Sequence, residues 1–221
     1  VRPEINNKIV ENHAYEIVSF KTGYVFGEPV MYVSRKDSEG LSDRINSLNE
    51  LMFNADKDEK DKELAEWFNT CGTAYRMVMP LVGEQAFEID NLDPRITFVV
   101  YNTGFGRKPV MGVTFIEDGD KKKRYSIYTP SVYFEVLGEE IVKEIPHALG
   151  AIPIIEYPAN NARLGSFEIV VGLLDALNNS ASNRMDGIEQ FIQAFIKFVN
   201  CEIDPETFTA LKDVGAIKIK G

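Results

Sequence analysis

The 221-residue sequence contains only two cysteines, Cys71 and Cys201, and two histidines, His13 and His147. The cysteines lie far apart and form no C-x-x-C pair. A disulfide scaffold or a zinc module is therefore excluded, and each thiol is expected to pack as a small apolar group in a reducing compartment. Neither histidine has a cysteine or carboxylate at metal-ligand spacing, and His13 falls on the apolar side of a helical pattern, so both read as core or surface filler. Basic residues are also scarce. Lys and Arg total 24 against 34 Asp and Glu, a formal charge of -10, which excludes a strongly basic nucleic-acid binder. No apolar run reaches about 18 residues, and the N-terminus lacks the basic, apolar, small-residue order of a signal peptide. The chain reads as soluble and intracellular. There is no G-x-S-x-G elbow. The stretch Asn102-Thr103-Gly104-Phe105-Gly106-Arg107-Lys108 lacks phosphate-loop spacing and joins two strand-like runs, so it reads as a loop. No catalytic residue, cofactor or metal site is expected.

What is present is a globular composition: 44% hydrophobic, 26% charged, 16 Gly and 10 Pro, enough for one or two domains. The chain opens on Val1 and stops on the alternating run Ala216 to Lys220, which suggests an excised fragment. Ile5, Ile9, Val10, His13, Ile17 and Val18 follow helical spacing over residues 5 to 20, and the glycines and Pro29 end that helix. Residues 30 to 34 look extended. Leu41, Ile45, Leu48, Leu51 and Met52 describe an amphipathic helix begun near Ser38 or Ser42. The charged stretch 54 to 63 reads as a solvated turn, with Glu59, Asp61 and Glu63 at a solvated helix start. The helix that follows carries Leu64, Trp67, Phe68 and Cys71 and stops at Gly72.

From residue 73 the period becomes two, and strands are expected at 75 to 79, 87 to 92, 98 to 101, 110 to 117 and 124 to 136. Asp118-Gly119 marks a hairpin turn. Leu137 to Pro153 is expected to leave the sheet. Beyond Pro158 the apolar residues Phe167, Val170, Leu174, Leu177, Ala181, Met185, Ile188, Ile192, Phe195 and Val199 recur at steps of three or four. That is one stripe along about 33 residues, or ~50 Å at the helical rise. A domain of this size could hardly cover it, so packing against other copies is expected. Asn178 to Asn183, with Gly172 and Gly187, is the weak point where a kink is expected. Pro205 starts a short helix.

Four groups of residues, taken together and in order, carry a resemblance. They are Lys21-Thr22-Gly23-Tyr24-Val25-Phe26-Gly27-Glu28-Pro29-Val30; Cys71-Gly72-Thr73-Ala74-Tyr75; Asn91-Leu92-Asp93-Pro94-Arg95; and Gly150 through Pro158 with Asn160-Asn161, Gly165-Ser166-Phe167-Glu168 and Asp175-Ala176-Leu177-Asn178. In these the chain resembles portal proteins of tailed bacteriophages, of the type found in long-tailed phages of Gram-positive hosts. The resemblance implies an α+β fold: a helical N-terminal part and a mixed antiparallel β wing (1 to 160), then a long protruding stem-type helix (161 to 200) and the start of the clip region (201 to 221). It implies a non-enzymatic homo-oligomer, a dodecameric ring at the capsid vertex of the virion, assembled in the host cytoplasm. Double-stranded DNA would pass through the ring without sequence-specific binding during packaging and ejection. Terminase, head-tail connector and capsid or scaffold proteins would dock on it; no membrane is involved.

On this reading the subunit-interface candidates are Leu174, Leu177, Met185, Ile188, Ile192 and Phe195. Glu168, Asp175, Arg184 and Asp186 lie on or beside the same helix as channel or intersubunit polar residues, with plain solvation as the alternative. Gly23, Tyr24, Gly27 and Pro29 are expected to set backbone geometry, and Asp93-Pro94-Arg95 to form a turn with a local ion pair. The basic cluster Lys121-Lys122-Lys123-Arg124 reads as a solvated hairpin tip, with phosphate contact as the alternative. A compact α+β enzyme or ligand-binding module, with Tyr75, Asp93 and Arg95 converging on a pocket, is the competing class.

Overall fold

The computed structural model describes residues 6–34, 40–81, 87–117, 122–192 and 205–206. The chain divides into two compact units: Val10–Leu177, and residues 1–9 together with 178–221. The larger unit begins with three helices, α1 (His13–Phe26), α2 (Leu41–Asn54) and α3 (Lys57–Cys71). Strands β1 (Thr73–Pro80), β2 (Phe87–Leu92), β3 (Thr97–Tyr101), β4 (Pro109–Glu117), β5 (Lys123–Tyr128), β6 (Val132–Leu137), β7 (Glu140–Pro146) and β8 (Ile154–Pro158) follow. A helix α4 (Val171–Ile192), entered through a 3-10 turn at Glu168–Val170, contributes residues to each unit. The fold is mixed α+β with two antiparallel sheets and a long C-terminal helix, as expected.

The first helix starts later than its periodicity predicts. Asn12 caps it, its side chain accepting from the Tyr15 N–H at 3.1 Å. The backbone before it is bonded elsewhere. Asn7 N–H donates to Asp186 Oδ1 at 2.8 Å and Ile9 N–H to Ser182 Oγ at 3.0 Å, both within the smaller unit. Gly23 lies inside α1; Gly27 ends it. The extended residues 30 to 34 join no ladder, and Tyr32 instead exchanges both backbone bonds with the Asn49 side chain at 3.0 Å each.

The predicted solvated turn at 54 to 63 is a correction. Only Ala55 and Asp56 turn, with Asp56 at a φ of 51°, and α3 already runs from Lys57. Asp61 is buried, which the charge pattern alone does not reveal. A second correction concerns Leu137 to Pro153. Instead of leaving the sheet, the chain reverses at Gly138, whose φ of 66° suits a glycine, and pairs β7 with β6. Ile141, Val142 and Ile145 of the edge strand β7 all stay exposed, so no buried face is imprinted on its sequence.

One sheet has the order β2-β1-β8 and the other β3-β4-β5-β6-β7. The β4–β5 hairpin forms as expected, while its Asp118-Gly119 turn lies outside the described residues. The core joins Val18 of α1, Leu64 and Ala65 of α3, Ala74 and Tyr75 of β1, Ile89 of β2, Val113 of β4 and Ile154 of β8. Gly112 lets β4 approach β8 closely, since a Cβ there would crowd Ile152 and Ile154. In α4 the asparagine-rich segment is helical and does not break the helix. Ser182 Oγ donates to the Asn178 carbonyl at 2.8 Å, one turn back, so its hydroxyl is satisfied inside the helix instead of competing with it. The stripe beyond residue 192, including Phe195, and the Ala216 to Lys220 run lie outside the described residues. No described helix is long and apolar enough to cross a membrane.

Candidate functional site

Residues from three of the segments that carry the resemblance, Lys21, Gly72, Asn160 and Gly165 to Glu168 among them, are scattered in sequence but meet at the C-terminus of α3. Gly72 takes a φ of 77°, closes α3 by donating to the Phe68 carbonyl at 3.0 Å, and accepts from Ala159 N–H at 2.9 Å. A Cβ on Gly72 would overlap the Arg163 carbonyl, so only glycine fits. Buried Asn69 donates to the Ala65 carbonyl at 2.9 Å, while its carbonyl accepts Ser166 N–H and its Oδ1 accepts Ser166 Oγ, both at 2.6 Å. Lys21 of α1 reaches the same hydroxyl at 3.0 Å. Asn160 brackets Leu164 through both its amide and carbonyl groups, at 2.7 and 3.1 Å. Glu168 accepts Gly165 N–H at 3.0 Å. These bonds fix the segment that leads from the sheet into α4.

A buried polar network lies two to three turns back along α3. Asp61 receives Arg76 Nη1 at 2.6 Å and also pairs with Lys57. Arg76 further donates to Asn91 Oδ1 at 3.1 Å and to the Lys60 carbonyl at 2.8 Å. Asn91 in turn donates to that carbonyl and to Glu63, at 2.7 Å each. Asp61 is thus a structural acid and not part of a solvated helix start, whereas Glu59 and Glu63 are exposed as expected. The arginine interrupting an otherwise apolar strand, Ala74-Tyr75-Arg76-Met77, was the available signal for a buried partner.

The third cluster was not anticipated. Glu156 of β8, whose side chain is only 5% exposed, accepts Arg163 Nε at 2.8 Å and Nη2 at 3.1 Å. Tyr101 of β3 donates at 2.5 Å to Oε2, the same oxygen that accepts Nη2. The Arg163 and Tyr101 bonds hold the Glu156 carboxyl below its ordinary value despite burial. Burial, then the bond to Glu156, pushes Tyr101 up to about 12. The signs give opposite windows. Glu156 stabilises the fold above the unfolded carboxyl value of 4.5 and loses that contribution as pH falls through its lowered value. Tyr101, raised from 10, contributes fully below pH 10 and loses it on the way to about 12. Tyr101→Phe should therefore cost about 1 kcal/mol at neutral pH and flatten the stability decline between pH 10 and 12. Urea titrations at three pH values check this, and an unchanged alkaline slope would refute it.

Asp93 and Arg95 form the expected turn pair, with Arg95 Nη2 2.5 Å from Asp93 Oδ2 and the guanidinium 5.6 Å above the Trp67 ring. The bond to Arg95 lowers the Asp93 carboxyl. These two residues close on each other, while Tyr75 is buried, so the pocket expected for the competing class is not assembled from them. His13 is corrected too. It sits at the start of α1 with Glu16 and Glu11 each 2.9 Å from a ring nitrogen, and the bond to Glu16 and then that to Glu11 raise its pKa. Arg124 pairs with Glu135 at 3.0 Å and Lys123 lies 4.9 Å over the Phe115 ring, whereas Lys121 is outside the described residues. Among the described residues no group of three or more His, Cys, Asp and Glu is placed to hold a metal.

On α4, Leu174 is half-buried and Leu177 47% exposed in the larger unit; Met185 and Ile188 are 40% and 47% exposed in the smaller. Ile169 and Leu173, off the predicted stripe, are more exposed still. Ile192 closes the described helix. Asp175 and Arg184 face solvent. Glu168 and Asp186 have partners within the chain, Gly165 and Asn7 respectively.

Set against known families, the chain matches along residues 2–221 the family described as phage portal protein, SPP1 Gp6-like. No curated protein matches it.

Proposed function

Because this chain belongs to the phage portal protein family, SPP1 Gp6-like, a structural family whose members form a multimeric ring at the capsid vertex, we propose that it supplies the wall of a DNA-conducting channel. The observation that carries this is the family match across residues 2–221. In this reading residues 1 to 160 are the wing, 161 to 200 the first stem helix and 201 to 221 the start of the clip. The full-length protein forms a dodecamer through which double-stranded DNA enters during packaging and leaves during ejection. Terminase, head-tail connector and capsid or scaffold proteins dock on the ring.

Two physical features support it. Apolar side chains of α4, Leu177, Met185 and Ile188 among them, remain partly exposed in the isolated chain, and covering what is left of each between copies is worth about 1 kcal/mol. The net charge of -10 suits a conduit, because each phosphate neutralised by a basic side chain would add counterion-release affinity and retard sliding. Leu174, Leu177, Met185, Ile188, Ile192 and Phe195 are the proposed intersubunit apolar contacts. Asp175 and Arg184, which face solvent, are the proposed polar groups for intersubunit pairing or the channel face; Glu168 and Asp186 are partly committed within the chain.

Ile188→Asp in the full-length polypeptide should convert rings into monomers or small assemblies. Size-exclusion chromatography with native mass measurement reads this directly. An undiminished ring population would remove Ile188 from the interface, and a wild-type protein that stays monomeric at all concentrations would overturn the whole reading.

A further inference from the structure

A cavity of about 440 Å³ opens between the β3–β4 loop, β8 and the turn at Arg163, lined among others by Tyr101, Thr103, Arg107, Glu156 and Arg163. Three non-glycine residues of the described chain have a positive φ, and two of them, Arg107 at 41° and Arg163 at 54°, line this one cavity. Such backbone costs free energy and persists only where the surroundings hold it. Here they do. Asn102 clamps the loop, its N–H donating to the Lys108 carbonyl at 2.9 Å and its Oδ1 accepting Lys108 N–H at 3.0 Å. Arg107 N–H donates to the Gly104 carbonyl at 3.2 Å, and Arg163 N–H to the Asn160 carbonyl at 3.0 Å.

The charges in the cavity do not balance. Glu156 is the one acid among these residues, and both its oxygens are taken by Tyr101 and Arg163. The bidentate pair uses Nε and Nη2 of Arg163, and among the described residues nothing takes the Nη1 edge of this half-exposed guanidinium. Among the described residues Arg107 makes no side-chain hydrogen bond or ion pair. A positive excess in a concave site, on a chain of net charge -10, favours an anion, and the planar guanidinium fork matches carboxylate and phosphate oxygens.

We infer that the cavity between the β3–β4 loop and β8 is an oxyanion-binding site, in which Arg107 and the free edge of Arg163 grip a carboxylate or phosphate group beside the Thr103 hydroxyl. Glu156 and Tyr101 act as positioning residues, holding Arg163 in place and leaving its outer edge to the ligand. The site is independent of the ring contacts on α4.

Isothermal titration of the full chain with sodium phosphate, and separately with sodium citrate, tests this at an ionic strength held constant with sodium chloride. Saturable heat with either anion is expected, and the tighter of the two identifies phosphate or carboxylate as the preferred group. Arg107→Gln should weaken binding about tenfold or more. Arg107→Gly, which also removes the backbone strain, should do the same while folding at least as well. Lys143→Gln on exposed β7 removes an equal charge elsewhere and should leave binding unchanged. No saturable heat with either anion at tens of millimolar, affinity unchanged from the wild-type protein in both Arg107 variants, or an equal loss in Lys143→Gln overturns the site.

Discussion

Asp61→Ala should lower the unfolding free energy by about 3–5 kcal/mol, because it strands the buried Arg76 guanidinium without its counter-charge. Asp61 and Arg76 have side-chain exposures of 7% and 5%, and the guanidinium is pinned by Asn91 and the Lys60 carbonyl, so it cannot swing out to water. Breaking a buried pair from one side is costly, whereas replacing both partners by apolar groups of similar size is often nearly neutral. The double variant Asp61→Leu with Arg76→Met should therefore recover much of the loss. Lys62→Ala removes a pair to Asp58 in which both side chains are 43% exposed, and should cost no more than about 1 kcal/mol. Urea unfolding of the four proteins decides the point. If Asp61→Ala costs no more than Lys62→Ala, the network contributes nothing and the account of how α3 is fixed on β1 is wrong.

The second large effect is expected at Gly72. An alanine there faces two penalties, a φ of 77° and overlap with the Arg163 carbonyl. Backbone strain of this kind and forced repacking are each worth about 1–3 kcal/mol, so Gly72→Ala should destabilise by about 2–5 kcal/mol. The damage should be directional. Displacing Arg163 disturbs Glu156 and Tyr101, so hydrogen exchange at the amides of 156 to 168 should quicken more than at those of β5 and β6. Gly138→Ala supplies the comparison, since it has a positive φ but open space around it. Equal losses at the two positions would show that the close approach to Arg163 carries no energy.

Both predictions concern residues that join distant parts of the chain, and this is where sequence reading reached its limit. Asp61 sits in a run of alternating charges, and such a run is indistinguishable from a solvated face until the strand carrying Arg76 is laid beside it. Glu156 and Arg163 are close in sequence, but Tyr101 comes from another sheet, so no local pattern assembles the three. The β7 strand escaped notice because an edge strand with all seven residues exposed keeps no apolar alternation. By contrast, the hairpin from β4 to β5, the Gly72 stop and the Asp93–Arg95 turn were readable, since each depends on residues within a few positions of one another.

The sequence by itself determined the helical and strand periods, the glycine-marked ends, the acidic balance and the family, because these rest on local conformational preference and on residue order. Only the tertiary structure decided that charged Asp61 is buried against Arg76, that Glu156 is held by Tyr101 as well as Arg163, and that two strained arginines share one cavity. Those outcomes depend on which groups are brought within hydrogen-bonding distance across long loops, and burial and pairing energies are properties of that proximity, not of the residues taken one at a time.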